Sequence, residues 1–172
     1  NEIDNVTNQI LSKLVDPRNP KDVWAKRGFV MGSVQSGKTG NYTGLIAKAI
    51  DAGYKFIIVL SGIHNDLRAQ TQLRINDELL GYDMIQMKKA SKISPNKRVG
   101  VGRLFPKHKG TSIQTLTTSD EKGDFKKGIA ETVNPILNGE HTYVLVIKKH
   151  TGVMKNLIKW LQNSAFANDN KI

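Results

Sequence analysis

The segment Gly32-Ser33-Val34-Gln35-Ser36-Gly37-Lys38-Thr39 constrains this chain more than any other, because it matches the whole pattern G-x-x-x-x-G-K-[ST]. Glycines let the backbone turn tightly, so that its N–H groups can approach phosphate oxygens. The lysine supplies a point charge for the β and γ phosphates, and the threonine hydroxyl suits Mg²⁺. The motif predicts binding of ATP and Mg²⁺ by Gly32, Ser33, Val34, Gln35, Ser36, Gly37, Lys38 and Thr39.

The flanking pattern predicts the fold class around this loop. Gly28–Met31 is a short apolar run expected to form a buried strand, and an amphipathic helix is expected from about Lys38 to Ala52. Phe56–Leu60 is continuously apolar and β-branched, which is typical of a strand in a parallel sheet covered on both faces. A further helix is expected from Asn65 to Leu80, closing at Gly81. This alternation predicts an α/β fold with a mostly parallel sheet flanked by helices.

The remaining elements are less regular in sequence. An N-terminal helix over residues 3–15 and a linker are expected within 1–22, leaving residues 23–172 as one nucleotide-binding lobe. The later expected elements are short strands at Val99–Val101 and Ile113–Leu116, a helix near Phe125–Leu137, a buried strand at Tyr143–Ile147 and a helix from Thr151 to about Asn163.

Composition narrows the class of partner. The 172 residues suit one domain, and 26 Lys and Arg against 15 Asp and Glu give a net charge of +11. Such a balance favours an anionic partner, nucleic acid first, although a solvated lysine-rich surface gives the same count. There is no cysteine, which excludes disulfides and thiolate chemistry. No apolar run is long enough to span a membrane, and a cytoplasmic location is expected.

Several blocks resemble one family. The phosphate loop resembles motif I of superfamily-two helicases, and the stretches Ile57–Gly62, Asn65–Gln72, Tyr143–His150 and Leu157–Leu161 are similar to the bacterial Z-one domain family. The resemblance covers roughly residues 24–162. It implies a helicase-like P-loop ATPase with a RecA-like lobe, in bacterial proteins that act on DNA in restriction or phage defence. Endonuclease is that family's label, and no nuclease cluster is evident in this sequence.

One departure from the family concerns the acidic motif of a motor ATPase. The family places an Asp-Glu pair at the end of a strand, whereas Ser61-Gly62 and Lys148-Lys149 follow the clear strands here. The family's acidic strand would begin near Ile172, so we expect an N-terminal portion that lacks this motif and also a second RecA-like lobe. Lys38 and Thr39 are then the expected catalytic residues of ATP hydrolysis in the intact protein.

The resemblance also implies where a nucleic-acid strand would be gripped. Contacts to the backbone, with DNA favoured over RNA, are expected from Ser61, Gly62, Arg68, Gln72, Arg74, Lys148 and Lys149. The alternative for the two arginines is pairing on a solvated helix with Asp66, Asp77 or Glu78.

Two other functions remain open at the level of sequence. One is a P-loop phosphotransferase acting on a small molecule, which would need an arginine-bearing lid and an acceptor-binding acidic group. The other is a non-catalytic module in which nucleotide only switches an interaction. Neither the lid nor the acidic group is evident in the sequence.

Overall fold

A computed structural model describes residues 2–19, 25–31, 38–83, 98–104, 113–126, 128 and 141–167, with the side chains of all of these except 38, 39 and 164–167. Its helices and strands, in chain order, are α1 (Glu2–Leu11), α2 (Lys38–Ala52), β1 (Phe56–Ser61), α3 (Asn65–Ile75), a π-helical turn (Asn76–Leu80), α4 (Val101–Leu104), β2 (Ile113–Gln114), β3 (Thr142–Lys148) and α5 (Thr151–Ala167).

The strands form an open, all-parallel sheet in the order β1-β3-β2. Phe56 is opposite Tyr143 and Ser61 is opposite Lys148, so β1 and β3 run side by side over their full shared length. The central strand β3 is buried from Thr142 to Ile147, as its unbroken apolar sequence predicts. The fold is therefore α/β, with a three-stranded parallel sheet flanked by helices in the described residues.

One face of the sheet carries the main apolar core. The side chains of Tyr143, Leu145 and Ile147 point to this face, and Leu157 and Trp160 of α5 pack against them. Phe125 completes the cluster, with its ring centroid 5.4 Å from that of Trp160. The spacing of the two α5 residues places them on one side of the helix, which explains why α5 lies over β3.

The other face of β3 is covered in part by α3, whose inward residues are mostly polar. Arg68, Gln72 and Ile75 are all fully buried. Because a buried polar group needs hydrogen-bond partners, α3 packs through a bonded network rather than through an apolar stripe.

The turn after α3 is closed by glycines. Gly81 ends the π-helical turn with a φ of 77°, and its N–H donates to the carbonyl of Asn76 at 2.7 Å. A Cβ at Gly102 would overlap the backbone carbonyl of Gly81, and one at Gly100 would overlap that of Asp77. These two glycines therefore allow α4 to pack directly on the turn.

Residues 1–55 and 56–172 form two separately packed units. In the first unit α1 packs on α2, where Gly40 and Gly44 leave room for the side chain of Ile3. Lys48 Nζ lies 2.5 Å from the Asp4 carboxylate across the same interface. The division after Lys55 differs from the boundary expected after residue 22, since α1 packs with the helix that follows the phosphate loop.

The structure confirms the helix over Lys38–Ala52, the two longer strands, the helical stretch from Asn65 to Leu80 closing at Gly81, and the helix beginning at Thr151. The N-terminal helix is also present, although it ends at Leu11 rather than at residue 15. Nearly all of the expected helix near Phe125–Leu137 lies outside the described residues.

Three expectations are wrong. Gly28–Met31 forms no strand: Phe29 and Met31 are 88% and 85% exposed. Within Val99–Val101 the chain turns and starts the short helix α4 instead of a strand. The strand β1 is parallel as expected but not covered on both faces, because Leu60 is 50% exposed and Ile58 is also exposed. A short apolar run indicates a preference for burial but does not provide a neighbour that buries it.

Candidate nucleotide and nucleic-acid sites

Helix α2 begins at Lys38, within the motif Gly32–Thr39. The first four N–H groups of a helix have no partner within it, and the aligned peptide dipoles place partial positive charge at that end. An anion held by the preceding turn would therefore meet open backbone donors. Gly32, Ser33, Val34, Gln35, Ser36 and Gly37 lie outside the described residues, as do the side chains of Lys38 and Thr39, so their expected contacts with ATP and Mg²⁺ stay predictions.

Two polar atoms near the start of α2 are buried without a hydrogen-bond partner in the described part of the chain. These are Asn41 Oδ1 and Thr43 Oγ1, which follow Lys38 by three and five residues. A buried oxygen without a partner costs about 1–3 kcal/mol. The first turns of α2 thus contain two buried oxygens whose hydrogen-bonding capacity is not used within the described residues.

The carboxyl ends of β1 and β3 bring four of the expected nucleic-acid residues to one edge of the sheet. Ser61 Oγ donates to the carbonyl of Ile147 at 3.3 Å, and the N–H of Lys149 donates to the carbonyl of Gly62 at 2.8 Å. Lys148 Nζ donates to Asn65 Oδ1 at 2.9 Å, at the start of α3. Lys149 is exposed, whereas the buried Ser61 hydroxyl is used within the sheet.

The prediction that Arg68 contacts nucleic acid is wrong for this structure, because the residue has no exposed surface. Its Nη1 donates to the carbonyl of Thr118 at 2.8 Å, and its Nη2 donates to the carbonyl of Asp120. Burial lowers the pKa of the guanidinium, and the carboxylates of Asp124 and Asp120 oppose this shift. The guanidinium is bonded to the loop 115–124 and not to Asp66, Asp77 or Glu78 of its own helical stretch, which was the alternative.

Gln72 is also corrected, since it too is fully buried and bonded within the protein. Its Nε2 donates to Asn76 Oδ1 at 2.9 Å, and its Oε1 accepts from Thr117 Oγ1 at 2.7 Å. The remaining residue of the predicted α3 contact, Arg74, is exposed in the last turn of the helix. A contact between Arg74 and nucleic acid therefore stays a prediction, but Arg68 and Gln72 would not take part in it.

The loop 115–124 supplies hydrogen-bond acceptors to β3, a role that the sequence analysis did not predict. Thr117 Oγ1 accepts the N–H of Val146 at 3.0 Å, and Asp124 Oδ2 accepts the N–H of Lys148 at 3.4 Å. Two side chains thus replace the strand partner of β3 where β2 has already ended. Thr117 and Asp124 lie beyond the short strand expected at Ile113–Leu116, in a polar stretch with no regular pattern, so nothing in the sequence indicates these long-range contacts.

No family model, curated protein or solved structure matches this chain. The resemblance to the Z-one family therefore continues to rest on the sequence blocks quoted above. Among the described residues, no three His, Asp or Glu side chains converge as a metal site would require. The described helices include none with the length and apolar character needed to cross a bilayer.

Proposed function

We propose that this chain is the ATP-binding part of a nucleic-acid-dependent ATPase of the helicase or translocase kind. The ligands would be ATP and Mg²⁺, bound by Gly32–Thr39, and the lobe would be RecA-like. In the intact protein, ATP turnover would alter the grip on DNA, in restriction or phage defence as the sequence resemblance implies.

The observation that carries this proposal is the junction between the motif and α2. The helix starts at Lys38, inside a motif whose residue types suit a triphosphate. The unpaired N–H groups of its first turn are therefore adjacent to the segment that would hold the phosphates.

The residues of the loop would divide the work of binding. The N–H groups from Ser33 to Thr39 would hold the phosphates, and Lys38 would neutralise charge on the β and γ phosphates. Thr39 would hold Mg²⁺, whose charge offsets that developing on the phosphate oxygens when it is bound. Water activation would require the acidic motif that the sequence resemblance places beyond the described strands.

The direct test is the affinity of the Lys38→Ala variant for ATP with Mg²⁺, measured by calorimetric titration. We expect at least a tenfold loss, about 1.4 kcal/mol, because one phosphate-facing charge is removed. Lys55→Ala is the matched control, since it deletes an exposed lysine outside the motif and should bind like the unaltered chain. Equal affinities for all three proteins, with unchanged thermal unfolding, would refute the phosphate-loop assignment.

The intact protein tests the class of reaction. Hydrolysis of ATP stimulated by DNA would support the motor, whereas transfer of phosphate to a metabolite would support a phosphotransferase. Nucleotide binding without any turnover would support a switched binding module.

A further inference from the structure

The segment from β3 to the end of α5 differs in charge from the rest of the chain. Residues 141–167 contain Lys148, Lys149, Lys155 and Lys159 but no Asp or Glu, so all 15 acidic residues lie elsewhere. A long structured segment with cations and no carboxylate carries a local positive field rather than a balanced one.

Helix α5 separates its two faces clearly. Leu157 and Trp160 are buried against the sheet, whereas the outward side is polar apart from Ile158 over residues 151–163, whose side chains the structure describes. The 17 residues of α5 span about 25 Å, which is long enough to follow several nucleotides of a strand. Along this length the exposed side chains are Thr151, Lys155, Asn156, Ile158, Lys159, Gln162 and Asn163.

The lysines on this side lack carboxylate partners within the described residues. Lys155 and Lys159 are four positions apart, which places them on the same face of the helix, and Lys149 precedes the helix at its N-terminal end. None of the three forms an ion pair there, in contrast with Lys48, which pairs with Asp4. Their charges are therefore available to an external anion.

The helical stretch from α3 through the π-helical turn is different, because its exposed residues include Asp66, Asp77 and Glu78 as well as Arg74. Opposite charges interspersed in this way are typical of a solvated protein surface. Of the two helices that follow the long strands, α5 has the surface whose charge complements a polyanion.

We propose that Lys149, Lys155 and Lys159, which we call the α5 basic face, bind the phosphate backbone of a nucleic-acid strand. Lysine, asparagine and glutamine side chains along one face supply the donors that such sequence-independent contacts use. Among residues 151–163, whose side chains the structure describes, Ile158 is the one exposed large apolar residue, which gives too little apolar surface there for a helix that lies in a membrane interface. The inference rests on the proposed function in that it names the surface for nucleic acid, but it requires no nucleotide at the phosphate loop.

The test compares binding of a fluorescein-labelled 20-nucleotide oligothymidylate by anisotropy at several salt concentrations. The variant Lys149→Ala/Lys155→Ala/Lys159→Ala is expected to bind at least tenfold more weakly at low salt. Each lost phosphate contact should reduce the slope of log affinity against log salt by about 0.7. Circular dichroism should show the same fold, because all three side chains are exposed.

The matched control removes the same charge elsewhere, in the variant Lys55→Ala/Lys122→Ala/Lys126→Ala. These lysines are also exposed, and Lys122 follows directly on Asp120-Glu121. The control is expected to lose less than threefold in affinity. Equal losses in the two variants would mean that only net charge matters and would overturn the inference.

Two further results would also overturn it: no binding of the oligonucleotide by the unaltered chain, or equally tight binding of poly-glutamate, which would indicate an acidic protein partner. Lys38→Ala should keep its affinity for DNA, and the variant of the α5 basic face should keep its affinity for ATP. Failure of ATP binding alone would therefore count against the phosphate loop and leave this surface standing.

Discussion

From within α3, Arg68 binds the loop 115–124, whose side chains bond to the edge of β3 beyond β2. Its guanidinium is fully buried and is bonded to the carbonyls of Thr118 and Asp120, so the charge is met by backbone oxygens. Charge-assisted hydrogen bonds of this kind are about twice as strong as neutral ones. The loop in turn supplies the Thr117 hydroxyl to β3, which makes Arg68 part of the sheet's support.

We expect Arg68→Met to lower the free energy of unfolding by about 3 kcal/mol, because two charge-assisted hydrogen bonds from a buried guanidinium to the loop are lost. Chemical denaturation monitored by circular dichroism measures this change. Gln70→Ala on the exposed side of the same helix is the control and should change stability by less than about 0.5 kcal/mol. If the two variants were equally stable, the loop would not depend on the arginine.

Residues differ in how far sequence reveals their roles. The pattern around Lys38 is local, so its expected chemistry can be read without a structure. Arg68 looks in sequence like any exposed helical arginine, and its partners lie some 50 positions along the chain. Which carbonyls a buried charge meets depends on tertiary packing, and no local pattern encodes that.

At the scale of elements, α5 begins with a side-chain cap. His150 Nδ1 accepts the N–H of Gly152 at 3.2 Å, which satisfies one of the open donors of the first turn. The carbonyl of His150 also accepts the N–H of Met154 at 3.0 Å. The helix that covers the main core is therefore fixed at the point where the chain leaves β3.

Removal of this cap should destabilise the protein. We expect His150→Ala to cost about 1 kcal/mol, because the N–H of Gly152 loses its acceptor. His150→Asn keeps a side-chain acceptor of similar reach and should recover most of the loss. Thermal unfolding of the three proteins checks this, and equal midpoints would show that the contact does not contribute to stability.

Elements with long, strongly patterned sequences could be predicted, whereas short ones could not. The run Tyr143–Ile147 is apolar throughout, and it forms the central strand. Gly28–Met31 has a similar composition over four residues, yet it is exposed. Helix α4 depends on the fit of Gly100 and Gly102 against the π-helical turn, which is a contact between distant segments that periodicity cannot indicate.

For the molecule as a whole, Tyr82 links the chain beyond α3 to the sheet and should govern stability in alkali. Its hydroxyl donates to the carbonyl of Ile113 at 2.7 Å, and burial raises its pKa to about 12. In the unfolded chain, the phenol of Tyr82 ionises near pH 10. The folded state thus favours the neutral phenol, whose stabilising effect is complete below pH 10 and is lost as the pH rises towards 12.

We expect the stability difference between the unaltered chain and Tyr82→Phe to fall by about 2 kcal/mol from pH 9 to pH 12. The comparison removes the contribution of the other groups that titrate in this range, because they are common to both proteins. Urea denaturation at pH 9, 10, 11 and 12 measures the difference. A gap that stayed constant across this range would contradict a raised pKa at Tyr82.

The side-chain partners of β3 also determine on which side of the sheet a further strand could be added. Thr117 and Asp124 occupy the N–H groups of Val146 and Lys148 beyond the end of β2, so no further strand can join the carboxyl half of β3 on that side. On the other side β1 is the last strand of the described sheet, and Ile58 and Leu60 remain exposed on it. A strand added to this half of the sheet would therefore have to pair with β1, because the other side of β3 is already occupied by side chains.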